Sequence, residues 1–279
     1  PWVAWTSVNP TKFGEIALRH RVINNPLSAE TLDRIISLSN PPSGSRVLDV
    51  GCGKGEFLLR LTQHRSVLGE GLDLSEQMAE TAQTRAMKHS LHGTLTFRCV
   101  DAKSMEPPKK TYFLAVCLGA TQAFGNLRET LVTLRRWVQP DGWIVIGEGY
   151  WKQPPSAEYL KVLGATADEL LDDAGNVQVG RELGLNVVEH WSSTDQEWDD
   201  FENAYLQGIE SYARENPADP DVPEMLGRIH EWRQAYLRWG KETLGFGVYA
   251  FRVEGLDLTS DHEILKGLSR SPVGGSESR

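Results

Sequence analysis

A chain of 279 residues with 40% hydrophobic content can bury one substantial core with embellishments. Its net charge of -9 argues against nucleic acid as a habitual partner, because phosphate binding needs clustered Lys and Arg. No run approaches the ~20 apolar residues of a membrane span, no signal-peptide pattern is read, and the widely spaced Cys52, Cys99 and Cys117 suggest neither a disulfide framework nor a zinc site. A cytoplasmic protein without membrane association or bound metal is expected.

The first forty residues are helical rather than strand-like. Helical spacing runs over 9–21, Asn25-Pro26 breaks it, and a second helix over 28–38 is capped by Ser28 with Leu32, Ile35, Ile36 and Leu38 near one face. Pro41-Pro42 ends it. From Arg46 strands and helices alternate: strand 46–50, helix 55–64, strand 66–72, helix 75–90, strand 94–100, strand 111–118, helix 126–137 and strand 142–148. Pro140-Asp-Gly142 reads as the turn into the last of these. Such alternation predicts a parallel sheet with right-handed crossovers, whose ligands bind past the carboxyl ends of the strands.

Residues 152–184 read as helical and loop-rich, followed by a sixth strand over 185–191. Trp198, Phe201, Tyr205, Ile209 and Tyr212 then recur at helical spacing, as do Met225, Ile229, Trp232, Tyr236 and Trp239 beyond a proline-bearing joint. They predict a helical hairpin with aromatic faces, either packed on its neighbours or closing as a lid. A last strand covers 243–253.

Chemistry concentrates in Arg46-Val-Leu-Asp-Val-Gly-Cys-Gly-Lys-Gly-Glu56. An apolar strand runs into glycines 51, 53 and 55 and then into a helix start, leaving amides that face inward with no side chains in the way. A dinucleotide fingerprint needs its third glycine where Glu56 stands, and a carboxylate there would repel a pyrophosphate. Asp73 follows Gly53 by twenty residues, where an acid meets a ribose diol. Asp73 or Ser75 also suits the cap of the next helix. Cys52 is either a reactive thiol or a small turn residue.

Asp49-x-Gly51-x-Gly53-x-Gly55 resembles motif I of the class I S-adenosylmethionine-dependent methyltransferases, and the resemblance extends over 46–149. Asp101-Ala102 matches the position where an acid accepts from the adenine amino group, and Leu118-Gly-Ala120 resembles motif IV, which borders the methyl group. Tyr112-Phe113 departs from the family's aromatic-Asp pair, an Asp that is commonly structural. The resemblance implies a Rossmann-like, mostly parallel seven-stranded sheet with helices on both faces. One domain over 1–256 is expected: a helical cap at 1–45, a cofactor core at 46–149 and a helical insertion at 195–240 between strands six and seven. A partly disordered tail over 257–279 completes the chain.

The implied activity is transfer of a methyl group from S-adenosylmethionine to a small molecule, leaving S-adenosylhomocysteine. The cofactor contacts expected are Asp49, Gly51, Cys52, Gly53, Asp73, Leu74, Asp101, Ala102, Leu118, Gly119 and Ala120. Gln122, Tyr150, Trp151, Tyr205 and Trp232 are expected at the acceptor, under a roof built from the first forty residues, with Trp2 and Trp5, and the insertion. His20 and Glu148 are the nominees for a base, needed only for a hydroxyl or high-pKa amine acceptor. A monomer or homodimer is expected. A non-catalytic cofactor-binding partner or sensor, a nucleic-acid or protein methyltransferase and a nicotinamide oxidoreductase stay as alternatives.

Overall fold

The computed structural model describes residues 9–255 apart from 92 and 108, so Trp2, Trp5 and the tail over 257–279 lie outside the described residues. Seven strands form one sheet: β1 Arg46–Val50, β2 Leu68–Asp73, β3 Leu95–Cys99, β4 Tyr112–Leu118, β5 Val138–Trp151, β6 Leu185–Ser192 and β7 Leu244–Val253. Their order is β3-β2-β1-β4-β5-β7-β6. Strands β1 to β5 are parallel, and β7 lies antiparallel between β5 and β6. This is the Rossmann-like sheet that the sequence implies.

Around it stand α1 Pro10–Ala17, α2 Ala29–Ser39, α3 Glu56–His64, α4 Glu76–Lys88, α5 Leu127–Trp137, α6 Ala157–Leu163, α7 Asp173–Glu182, α8 Asp195–Glu215 and α9 Val222–Ala235. Both faces of the sheet are covered, which is why the central strands β1, β4 and β5 are largely continuous buried runs, while the edge strands β3 and β6 alternate. Leu48, Val50, Ala115, Cys117, Ile144 and Ile146 pack against Leu131 and Leu134 of α5 and Val177 of α7. Val47, Leu114, Val116 and Val145 share the other core with Ile35, Leu58, Leu61 and Ala82. A third, smaller core holds α1 on the α8–α9 hairpin through Phe13, Ala17, Ile209, Met225 and Ile229. Gly208 makes that contact possible, since a Cβ there would overlap the carbonyl oxygen of Ala17.

The elements depart from their predicted limits in places that matter for the site. The first helix ends at Ala17 instead of running to residue 21, because the carbonyls of Leu18, Arg19 and Arg21 turn to accept from Lys54 Nζ. Strand β5 is longer than 142–148 at both ends. Pro140-Asp-Gly142 forms a bulge within it, with Asp141 at φ +57° and the pairing jumping from Tyr112–Val138 to Leu114–Trp143. At the other end β4 stops, with Leu118 opposite Gly147, while β5 continues along β7 from Glu148 to Trp151. Glu148 is therefore the first β5 residue beyond the end of β4. The second helix of the hairpin loosens into a π-helical turn over Tyr236–Gly240. Among the described residues, no helix is long and apolar enough to cross a membrane.

Candidate active site

Beyond the carboxyl ends of β1, β2 and β4 lies a cavity of about 440 Å³. Its floor is the glycine turn. The amides of Gly51 and Cys52 donate to Leu72 O at 2.8 and 3.0 Å, and the Gly53 amide donates to Asp73 Oδ2 at 2.8 Å. Asp73 Oδ1 accepts from the Ser75 amide at 2.9 Å, while Ser75 Oγ, not Asp73, caps α4 by accepting from Met78 N. Gly53 has φ +52°, and a Cβ on it would stand 2.7 Å from Asn24 Nδ2. Only glycine lets floor and roof approach this closely.

Among the expected cofactor contacts, Asp49, Gly51, Cys52, Gly53, Asp73, Leu74, Ala102, Leu118, Gly119 and Ala120 line this cavity. Asp101 does not; its carboxylate accepts from Lys103 N at 2.9 Å and starts a 3-10 turn. Burial pushes the Asp49 carboxyl up to about 8, helped by neighbouring Asp73. Burial, with Asp49 and Asp73 nearby, also raises the Cys52 thiol well above its ordinary value, so this cysteine is a protonated turn residue and not a reactive thiolate.

The roof comes from the segment after α1. Lys54, inside the glycine turn, spends its ammonium on Leu18 O, Arg19 O and Arg21 O at 2.8, 3.0 and 2.7 Å. Arg85 of α4 donates to Lys54 O at 2.7 Å and pairs with Glu56. Asn25 Nδ2 donates to Leu118 O at 3.0 Å, which ties the roof to the end of β4. The Oδ1 atoms of Asn24 and Asn25 are buried without a hydrogen-bond partner.

A second cavity, about 190 Å³, opens on the far side of the same roof. The two share Asn24, Asn25, Gly119, Gln122, Phe201 and Tyr205 as walls. The second adds Glu148, Trp198, Glu202, Arg228, Glu231 and Trp232. Glu148 is buried, accepts from the Thr121 hydroxyl and the Gly149 amide, and has its pKa raised by burial against the opposing effect of those two bonds. Thr121 is itself fixed, its carbonyl accepting from Thr130 Oγ1 at 3.0 Å. Glu202 is only 2% exposed, accepts from Trp232 Nε1 at 2.9 Å, and is pushed up to about 7 mainly by burial.

Of the expected acceptor residues, Gln122, Tyr205 and Trp232 line this cavity, and so does Glu148. His20 lies elsewhere, exposed, 3.1 Å from Ser211 Oγ on the outer side of the cap. Tyr150 and Trp151 line neither cavity. Tyr150 OH is 2.9 Å from Ser192 Oγ, and Trp151 Nε1 donates to Ala167 O at 2.9 Å, so both occupy packing positions within the extended β5–β7 ladder. Sequence reasoning passed over Lys54, Asn24, Thr121 and Glu202. Glu202 alone left a mark, as an acid set four residues after Trp198 on a helix face that is otherwise aromatic. Among the described residues, no group of His, Cys, Asp and Glu could hold a metal ion.

Residues 47–142 match the family described as Methyltransferase domain. The uncharacterized protein YjhP of Escherichia coli (strain K12) is 29% identical over 236 residues, covering 83% of this chain and 93% of that one. A ubiquinone biosynthesis O-methyltransferase of Neisseria meningitidis is 25% identical over 189 residues, 64% of this chain and 76% of its own. The crystal structure of an S-adenosylmethionine-dependent methyltransferase from Geobacter sulfurreducens, in complex with S-adenosylhomocysteine, superposes with a TM-score of 0.81 at 28% identity, covering 86% of this chain and 97% of that one. A seven-stranded sheet with an antiparallel β7, a glycine turn closing on Asp73, and these likenesses converge on one assignment: residues 47–142 are a methyltransferase domain, and the chain has the fold of the class I S-adenosylmethionine-dependent methyltransferases.

Proposed function

We propose that the chain binds S-adenosylmethionine in the glycine-turn cavity and methylates a small molecule held in the adjoining one. One observation carries this reading: the two cavities meet through shared walls at Asn25, Gly119 and Gln122. The residues present fit the cofactor. The turn offers backbone where side chains would obstruct, Asp73 offers a carboxylate for a diol, and the orphaned Oδ1 of Asn24 is a buried acceptor in want of a donor. When bound, the cofactor supplies an electrophilic methyl group on a sulfonium.

The protein's own part is positioning and drying. The Asn24-Asn25 roof and the aromatic stripe of α8 cover both cavities, which keeps water from the acceptor and holds it in one orientation. Well-oriented systems gain up to ~7–11 kcal/mol this way. Glu148, at the step where β4 ends, is the group placed to take a proton at its carboxylate, with Thr121 and the Gly149 amide stabilising the ionised form. The Neisseria relative is named for methyl transfer in ubiquinone biosynthesis, in accord with this reading.

The test is calorimetry on the full chain. S-adenosylmethionine and S-adenosylhomocysteine should bind with micromolar affinity, with NAD and NADP silent. Asp73→Ala should cost roughly 1–3 kcal/mol of that binding. Tight NAD binding without sulfonium binding would end the proposal.

A further inference from the structure

The second cavity is unusual in the sign of its charges. Three carboxylates line it, Glu148, Glu202 and Glu231, against the single guanidinium of Arg228. Two of the three are buried, at 9% and 2% exposure, away from the water that normally pays for a carboxylate. Glu202 keeps only the Trp232 indole N–H as a donor, with Arg233 and Asp199 acting on it at longer range in opposite senses. In the roof of the same cavity, Asn25 keeps a buried Oδ1 with no hydrogen-bond partner, its Nδ2 being given to Leu118 O. Most of the remaining lining is apolar, with Trp198, Phe201, Tyr205, Trp232 and Phe246 prominent in it beside the amide of Gln122.

Each acceptor chemistry meets these walls differently. A carboxylate or phosphate would meet a lining with three acids to one guanidinium. A neutral alcohol would leave the buried acids uncompensated. A cation bearing N–H donors would satisfy the carboxylates, offer a donor to Asn25 Oδ1, and rest against aromatic side chains, where cations gain ~0.5–2 kcal/mol.

Resting on the methyltransferase reading, we infer that the acceptor is a small amine on an apolar or aromatic skeleton, admitted as its ammonium by Glu202 and Glu148. The division of labour follows from position. Glu202, on α8 and deep in the aromatic stripe, holds the charge. Glu148, beside the Leu118-Gly119 junction with the cofactor cavity, takes the proton: an ammonium N–H bond breaks, a carboxyl O–H forms, and the nitrogen keeps the electron pair as the nucleophile. The partial neutralisation of Glu202 near pH 7 suits a site that stays closed to anions yet is not locked as a full charge when empty.

The experiment uses the full chain saturated with S-adenosylhomocysteine, followed by calorimetry and thermal shift. The probes are matched sets: phenethylamine, 2-phenylethanol and phenylacetate; tryptamine, tryptophol and indole-3-acetate. The amine of at least one set should bind about tenfold or more tightly than its alcohol, with the acid silent. Glu202→Gln should erase that preference while S-adenosylhomocysteine affinity stays within about twofold. Glu231→Gln, at an exposed position that threatens no fold, should weaken the amine about two- to threefold. If S-adenosylhomocysteine binds but alcohols or acids match the amines, or no amine binds, or Glu202→Gln keeps the preference, the amine inference is overturned and the methyltransferase reading survives. If S-adenosylhomocysteine itself does not bind, both fall.

Discussion

The two cavities share a roof but are built on opposite principles. The first is made of backbone: amides and carbonyls of one strand-turn-helix, closed by an Asp on the neighbouring strand. The second is made of side chains that converge from β5, the segment after α1, and the α8–α9 hairpin, elements far apart in the chain. A backbone-built site tolerates change in its side chains but none in its dihedral angles. A side-chain-built site is the reverse, and its specificity can shift with a single residue. On the function proposed above, holding the cofactor falls to the rigid half, and the choice of acceptor falls to the adaptable half.

That contrast can be broken in graded ways. The largest effect is expected from Gly53→Val. Its φ of +52° and the 2.7 Å approach of Asn24 leave no space for a side chain, so calorimetry should show cofactor binding lost by at least about 4 kcal/mol while circular dichroism stays native. Normal binding by this variant would mean that the turn is structural and the cofactor sits elsewhere. Next, Tyr205→Ala with Trp232→Ala should cut turnover on an identified acceptor about hundredfold and change cofactor affinity less than about threefold. Equal losses in both would show that the cavities are one energetic unit.

A pH series sharpens the electrostatic side of the comparison. Glu202 titrates near 7 when folded and at 4.5 ordinarily. Its contribution to stability is complete below about 4.5 and is lost as pH rises through about 7. Wild type should therefore fall relative to Glu202→Gln by about 3 kcal/mol over that window and run parallel to it above. Parallel denaturation midpoints throughout would show that Glu202 is already ionised and solvated. The smallest effect should come from Lys54→Met, which removes the three-carbonyl grip on residues 18–21. Cofactor affinity should drop by about 1 kcal/mol and hydrogen exchange rise in the roof, with the acceptor cavity's preference intact.

Legibility in the sequence divides along the same line. The apolar run Val47–Val50, the spaced glycines and an acid twenty residues on are local signals, and local signals fix backbone geometry; the strand-turn-helix and the first cavity's floor follow from them. The second cavity depends on which residues meet across the fold, and periodicity does not report that. Tyr150 and Trp151 looked like the free end of a strand because nothing in the sequence says that β7 runs alongside β5 past the end of β4. Asn25-Pro26 reads as a breaker and Lys54 as an ordinary turn residue until the roof folds back over the turn. The same step in the sheet that hid Tyr150 and Trp151 within a ladder put Glu148 at the cavity wall.

The hairpin leaves the sheet after β6 and rejoins it at β7, so the wall that Trp198, Glu202, Tyr205 and Trp232 give the second cavity, the acceptor wall of the proposal above, is encoded in one uninterrupted stretch of the gene product. Recombination confined to that stretch would exchange most of the acceptor wall and leave the strand-turn-helix around Gly51–Gly55 unread. The graft has one point of compatibility to respect. Gly208 is where α1 rests on α8, and a donor hairpin with any larger residue there would lift α1, and with it the roof that both cavities share. New acceptor ranges are thus open to this scaffold by modular exchange, provided that the incoming helix brings its own glycine.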